Sequence, residues 1–119
     1  MPKLLIVDDE IDIREFAKNF FKKRGVEVFT ASGGGEAKEI LDEERPDLIL
    51  LDVRMEEMTG VEFLQMIRDA GDQTSVIMVS GVEDETIINE AEEMGIIGFI
   101  HKPLVLDELQ KIVMKELET

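Results

Sequence analysis

Short apolar runs alternate with stretches of helical period along the whole chain. Four of the runs are Leu4-Leu5-Ile6-Val7, Leu48-Ile49-Leu50-Leu51, Val76-Ile77-Met78-Val79 and Phe99-Ile100. A continuous apolar run rich in Val and Ile reads as a strand covered on both faces, as in a parallel sheet. Val26 to Thr30 supplies a further strand, with Val26 and Val28 as its apolar positions. Between the strands, Ile13, Phe16, Ala17 and Phe20 recur at i, i+3, i+4 and i+7, the stripe of a helix ending near Gly25. Ala37, Ile40 and Leu41 mark a second helix, stopped by Arg45-Pro46. Phe63, Leu64 and Ile67 mark a third, opened by Thr59 and Glu62 at capping-box spacing. Ile87, Ile88, Ala91 and Met94 mark a fourth, closed by Gly95, and Leu106, Leu109, Ile112, Val113 and Leu117 a fifth.

This strict alternation predicts an α/β fold: a five-stranded parallel sheet with right-handed crossovers and helices on both faces. No internal repeat, low-complexity tract or linker interrupts it, so residues 1–119 are expected to form one domain. A chain of this length buries about two-thirds of its unfolded surface without staples. Cysteine is absent, which excludes disulfides, a thiol nucleophile and thiolate metal sites. No apolar stretch approaches membrane-spanning length and no leader is visible, so a cytoplasmic protein with no membrane insertion is expected. The formal net charge of −15 argues against direct binding to nucleic acid. Much of the acid lies in runs such as Asp42-Glu43-Glu44 and Glu90-Ala91-Glu92-Glu93, which read as solvated helix faces. Tyrosine and tryptophan, the usual stacking platforms for bases and sugars, are also missing.

Ligands of parallel sheets bind beyond the carboxyl ends of the strands. Here the runs end on Asp8-Asp9, on Asp52, on Ser80 and on His101-Lys102-Pro103. Three carboxylates, a hydroxyl and an ammonium are thereby gathered at one edge. Carboxylates facing one another repel, and a hard cation such as Mg²⁺, which takes carboxylates, waters and phosphate oxygens, relieves that repulsion. Taken alone, Asp8-Asp9 is equally well explained as helix capping; Asp52 after a second buried strand shifts the balance. Asp52 is placed as a carboxylate nucleophile toward a phosphoryl group, Lys102 as its counter-charge and Ser80 as a hydroxyl donor. The Lys102-Pro103 bond is a candidate for a cis turn. His101 alternates to the side opposite Lys102 and reads as structural or exposed, neither base nor ligand.

With Asp8-Asp9, Asp52, Ser80 and Lys102-Pro103 in this order, the chain resembles the receiver domain of two-component response regulators over essentially its whole length. The resemblance implies a flavodoxin-like, doubly wound (βα)5 fold with strand order 2-1-3-4-5. It implies that Asp52 is the phosphoacceptor and that Asp9, Asp52 and the backbone carbonyl of Arg54 ligate Mg²⁺, with Asp8 acting through a metal-bound water. Ser80 and Lys102 would hold the phosphoryl group, and Ser80 and Phe99 would form the switch. The donor would be a phosphohistidine on a sensor histidine kinase or phosphotransfer protein. The protein would be no enzyme beyond phosphorylating and dephosphorylating its own aspartate. The readout would be a changed surface of the fourth helix, last strand and fifth helix, seen by an effector protein or a fused output domain. The alternative is a phosphorylation-independent interaction module on the same fold.

Two positions depart from the family's habit. Glu56 follows Met55 where proline is usual, leaving the loop a free N–H and no fixed φ. Phe99 replaces the commoner tyrosine. Other chemistries fit less well. A phosphatase of the haloacid dehalogenase type needs a second Asp two residues after the nucleophile, where Arg54 stands. A flavodoxin wants a hydroxyl-rich loop in place of Asp8-Asp9-Glu10, and a dinucleotide fold wants Gly-x-Gly-x-x-Gly there. Ile97 is either an exposed apolar contact or part of a covered edge strand. Val105, at the start of the fifth helix, is a residue that cannot cap it.

Overall fold

The computed structural model describes residues 1–55, 57–81 and 85–118. Ten elements alternate in the expected order: β1 (Lys3–Val7), α1 (Ile11–Lys22), β2 (Glu27–Ala31), α2 (Gly34–Glu44), β3 (Leu48–Asp52), α3 (Gly60–Asp69), β4 (Ser75–Ser80), α4 (Glu85–Glu93), β5 (Gly98–His101) and α5 (Leu106–Leu117). The strands form one parallel sheet in the order β2-β1-β3-β4-β5. This is the flavodoxin-like, doubly wound topology.

Strand alternation splits each apolar run between two cores. Leu5 and Val7, Ile49 and Leu51, and Val76 and Met78 face Ala37 and Leu41 of α2, Phe63, Leu64 and Ile67 of α3, and Ala91 of α4. Leu4 and Ile6, Leu48 and Leu50, and Ile77 and Val79 face Ala17 and Phe21 of α1 and Leu109 and Val113 of α5. A central strand in a doubly covered sheet therefore needs apolar residues at every position, and the runs supply them.

Helix α1 departs from the expected stripe. Ala17 and Phe21 are its buried residues, while Phe16 is 50% exposed. The adjacent pair Phe20-Phe21 lets two stripes satisfy the same period, and the chain buries Phe21. Phe20 remains partly covered, edge-on to Phe21 with ring centroids 5.0 Å apart and beneath the Arg24 guanidinium at 3.6 Å. Strand β2 runs one residue later than expected; Val26 is buried just before it, its N–H donating to Phe21 O at 3.2 Å. Helix α2 ends at Arg45, in the left-handed region at φ 49°, one residue before Pro46. Ile97 is exposed while its N–H pairs with Val76 O at 2.9 Å, so it enters the last strand with its side chain in solvent.

Both halves of the capping box at α3 form: Thr59 Oγ1 accepts from the Glu62 N–H, and Glu62 Oε1 from the Thr59 N–H, each at 3.1 Å. The helix begins hard against the end of β3, with Gly60 N–H donating to Val53 O at 2.7 Å. A Cβ on Gly60 would run into the backbone carbonyl of Asp52. The absence of a side chain at position 60 is thus what lets α3 approach the sheet edge. Glu56, the departure from the usual proline, lies outside the described residues.

Replacing Gly60 by Ala should force backbone apart at the end of β3 and lower stability by about 1–3 kcal/mol, the ordinary cost of overpacking. Val105 caps α5 with no side-chain hydrogen bond and is 54% exposed, so valine gains little from packing there. Val105→Ser should stabilise the protein by about 0.5–2 kcal/mol. Urea melts test both: Gly60→Ala should lower the midpoint and Val105→Ser should raise it.

Candidate functional site

Parallel pairing sets the strand ends level. Val7 pairs with Leu51, Asp52 with Val79, and Ser80 with His101. Asp8 follows Leu4 and Ile6, and Asp52 follows Leu48 and Leu50, on the same alternation. Asp8, Asp52 and Ser80 are 3%, 4% and 2% exposed, buried polar groups at the rim of an apolar sheet.

Lys102 closes the group. Its Nζ lies 3.2 Å from Asp52 Oδ2, 3.3 Å from Asp8 Oδ2 and 3.5 Å from Glu10 Oε1. Its own N–H donates to Ser80 O at 2.8 Å, which continues the β4–β5 ladder by one residue and aims the side chain over the sheet edge. The Lys102-Pro103 bond is cis, as the sequence allowed. Asp8 is held on every side: its N–H donates to Ala31 O at 3.1 Å, its Oδ1 accepts from the Glu10 N–H at 2.9 Å, and its carbonyl accepts from Arg14 Nη1 at 2.7 Å. Asp52 Oδ1 accepts from the Arg54 N–H at 3.4 Å.

These surroundings set the charges. Burial, then the neighbouring Asp8 carboxylate, push the Asp52 carboxyl up from 3.8 to about 6, against the pull of Lys102 and the Arg54 N–H. Burial draws the Lys102 ammonium down, but Asp52 and Asp8 outweigh it and leave its pKa above the ordinary lysine value. The lysine therefore stays charged throughout the physiological range, while Asp52 is a carboxylate held at some cost.

Asp8, Asp52 and Lys102 thus meet as the sequence suggested. Ser80 ends the adjacent strand, with Lys102 bound to its carbonyl. Asp9 is exposed at the rim, and the carboxylate oxygens of Asp8, Asp9 and Glu10 lie within 4.8 Å of one another. Asp52 lies outside that group, and Lys102 engages it together with Asp8 and Glu10. Several hard oxygen donors at one edge suit Mg²⁺ and are a poor set for a soft ion. Arg54 presents its N–H to Asp52 and leaves its side chain exposed. Phe99 is half-buried against the α2–α3–α4 core, and His101, exposed on the same side of β5, stacks at a tilt on it with centroids 5.3 Å apart.

Sequence reading missed Glu10 and Arg14. Glu10 stands next to the acid pair and could have been suspected from that alone. Arg14 reaches back from the first turn of α1 to a main-chain carbonyl, and such a contact leaves no motif.

The raised pKa of Asp52 has a definite sign. An acid with a higher pKa folded than unfolded favours the folded state below the unfolded value, and that contribution is lost as pH rises through the folded value. In metal-free buffer, Asp52→Asn should gain stability over the wild type as pH rises from about 4 to about 7, by up to about 3 kcal/mol. Chemical denaturation of both proteins across that range measures it; a constant difference would contradict the charge balance described.

Three comparisons bear on what such a site belongs to. Residues 4–114 match the Response regulator receiver domain family. Over 115 residues the chain is 36% identical to Sporulation initiation phosphotransferase F of Bacillus subtilis, covering 97% of this chain and 93% of that one. It is 34% identical over 116 residues to Regulatory protein AtoC of Escherichia coli, of which it spans only 25%. The crystal structure of the Vibrio cholerae chemotaxis protein CheY4 superposes with a TM-score of 0.90 at 33% identity, covering 98% and 99% of the two chains. With its acids, hydroxyl and lysine at the strand ends of a β2-β1-β3-β4-β5 sheet, the chain belongs to the response regulator receiver domain family.

Proposed function

We propose that residues 1–119 act as one receiver unit in which Asp52 takes a phosphoryl group from a phosphohistidine on a sensor kinase or phosphotransfer protein. The observation that carries this reading is the Lys102 ammonium shared between the buried carboxylates of Asp8 and Asp52. A carboxylate oxygen of Asp52 forms the new bond to phosphorus as the bond to the donor's imidazole nitrogen breaks, and the electron pair leaves with the imidazole. Lys102 moves from the carboxylates onto a phosphoryl oxygen, and the Ser80 hydroxyl donates to another. Mg²⁺ would be held by Asp9, Asp52 and the Arg54 carbonyl, with Asp8 through a water. Once bound, it would supply charge neutralisation to the phosphoryl oxygens. The protein acts on its own side chain and turns over no separate substrate.

Signalling follows from a hydrogen bond that exists only after phosphorylation. A bond from Ser80 to a charged oxygen is worth about 1.5–3 kcal/mol. That biases a two-state equilibrium about 10- to 150-fold. Drawing Ser80 toward Asp52 makes room for Phe99 to turn, and the surface of α4, β5 and α5 changes with it. A partner protein or a fused output domain would read that surface. No described helix is long and apolar enough to cross a membrane, which is compatible with a cytoplasmic setting.

Incubation with acetyl phosphate and Mg²⁺, followed by intact-mass spectrometry, tests the reading. The wild type should gain one phosphate, and Asp52→Asn should lose the reaction by at least about a hundredfold. Uptake at the wild-type rate by the variant would place the acceptor elsewhere. Absence of uptake by the wild type would favour an interaction module that needs no phosphate.

A further inference from the structure

Among the described residues Lys102 has three carboxylate neighbours, and one of them, Glu10, is exposed. Asp8 and Asp52 are buried at the ends of strands. Glu10 is different. Its side chain is 60% exposed, and its contact with Lys102, at 3.5 Å, is the longest of the three. It precedes α1 as the cap residue but makes no side-chain cap bond, so its carboxylate is not occupied in holding the helix. Its backbone is fixed by the N–H donated to Asp8 Oδ1 at 2.9 Å, which keeps the side chain beside the acid group. The chain thus carries an exposed negative charge at the mouth of a site whose buried members already hold two.

Building on the phosphoacceptor reading above, we propose that Glu10 determines donor specificity by competing with the incoming phosphoryl group for Lys102 and repelling small anionic donors. To bond a phosphoryl oxygen, Lys102 must give up part of its carboxylate shell, and the exposed Glu10 contact is the one that yields. Until it yields, Glu10 adds repulsion to any anion approaching Asp52. The exposed Arg54 side chain offers some opposing charge at the same edge, and the exposed Asp9 adds to the repulsion. A docked protein donor draws its binding energy from surfaces away from this mouth and is penalised least. A free phosphodonor has only its charged group to bind with and is penalised most. The chemistry is unchanged: the P–O bond to Asp52 forms as the bond to the leaving atom breaks, with acetate or ammonia departing with the electron pair.

Coulomb repulsion scales with the charge of the donor. Glu10→Gln keeps the shape and removes the charge. If it speeds a monoanionic donor by about threefold at low salt, a dianionic donor should gain the square of that, about ninefold. The experiment compares second-order rate constants for acetyl phosphate, a dianion at neutral pH, and phosphoramidate, a net monoanion, on wild type and Glu10→Gln with Mg²⁺ present. Gains ordered in this way, and shrinking toward unity as ionic strength rises to about 0.5 M, would support the assignment. Glu10→Ala, which removes the same charge, should reproduce the ordering. Equal gains for both donors, indifference to salt, or no gain at all would overturn it and leave Glu10 with a structural role only. Failure of the underlying reading looks different: neither donor would phosphorylate the wild type.

Discussion

An ammonium lodged between two buried carboxylates is the interaction on which this molecule's sheet edge depends. Asp8 and Asp52 stand where apolar strands run out, almost without water, and a pair of like charges there would drive one of them to neutrality. Lys102, at 3.2 and 3.3 Å from them, makes the ionised state tenable without making it comfortable, which is why the Asp52 carboxyl still sits at about 6. Burying ions rarely adds net stability. The arrangement is therefore better understood as a site kept ready for a further charged group than as a device for holding the fold.

The fold supplies the readiness. Because β1, β3 and β4 are covered on both faces, their side chains alternate between two cores with no freedom of register: a slip by one residue would exchange the cores. That constraint fixes Asp8 and Asp52 as firmly as it fixes Ile6 and Leu50. Gly60 adds a second restraint, since its missing side chain lets α3 begin against the Asp52 carbonyl, with its N–H bonded to Val53 O. Lys102 is placed differently. It lies past the end of β5 on a long side chain, tied by its backbone to Ser80, so the cation can move while the anions cannot.

The sheet, the helix order and the level strand ends were legible because continuous apolar runs and their terminating residues are local signals. What escaped reading depended on choices among equivalent local patterns or on contacts without a motif. Phe16 and Phe21 are both compatible with the α1 period, and only the tertiary packing selects Phe21. The start of β2 slipped because Val26 is buried as the chain enters the strand, and burial alone does not distinguish the two. The acid pair and Asp52 were recognisable, yet Glu10 was given no role beside them. Its position matters only because Lys102, 92 residues further along the chain, arrives beside it. Long-range pairings of one flexible charge with another are set by the closed fold, and no spacing rule encodes them.

Charge balance ties these parts together. Among the described residues, one ammonium serves three carboxylates, two buried and one exposed. A phosphoryl group on Asp52 would replace one negative charge by about two. Lys102 alone could not neutralise that gain while remaining shared. Either the Glu10 carboxylate withdraws, or a further cation enters beside the exposed Asp9, and the two responses are complementary. Withdrawal of Glu10 would release Lys102 to the phosphoryl oxygens, and a hard cation would then compensate the fixed pair. Ser80, buried at the end of the neighbouring strand, would be the uncharged donor within the same group. Any displacement of it on phosphorylation would transmit to β5, because its carbonyl carries the Lys102 N–H. The same backbone bond that positions the cation would thus couple phosphorylation at Asp52 to the strand bearing Phe99.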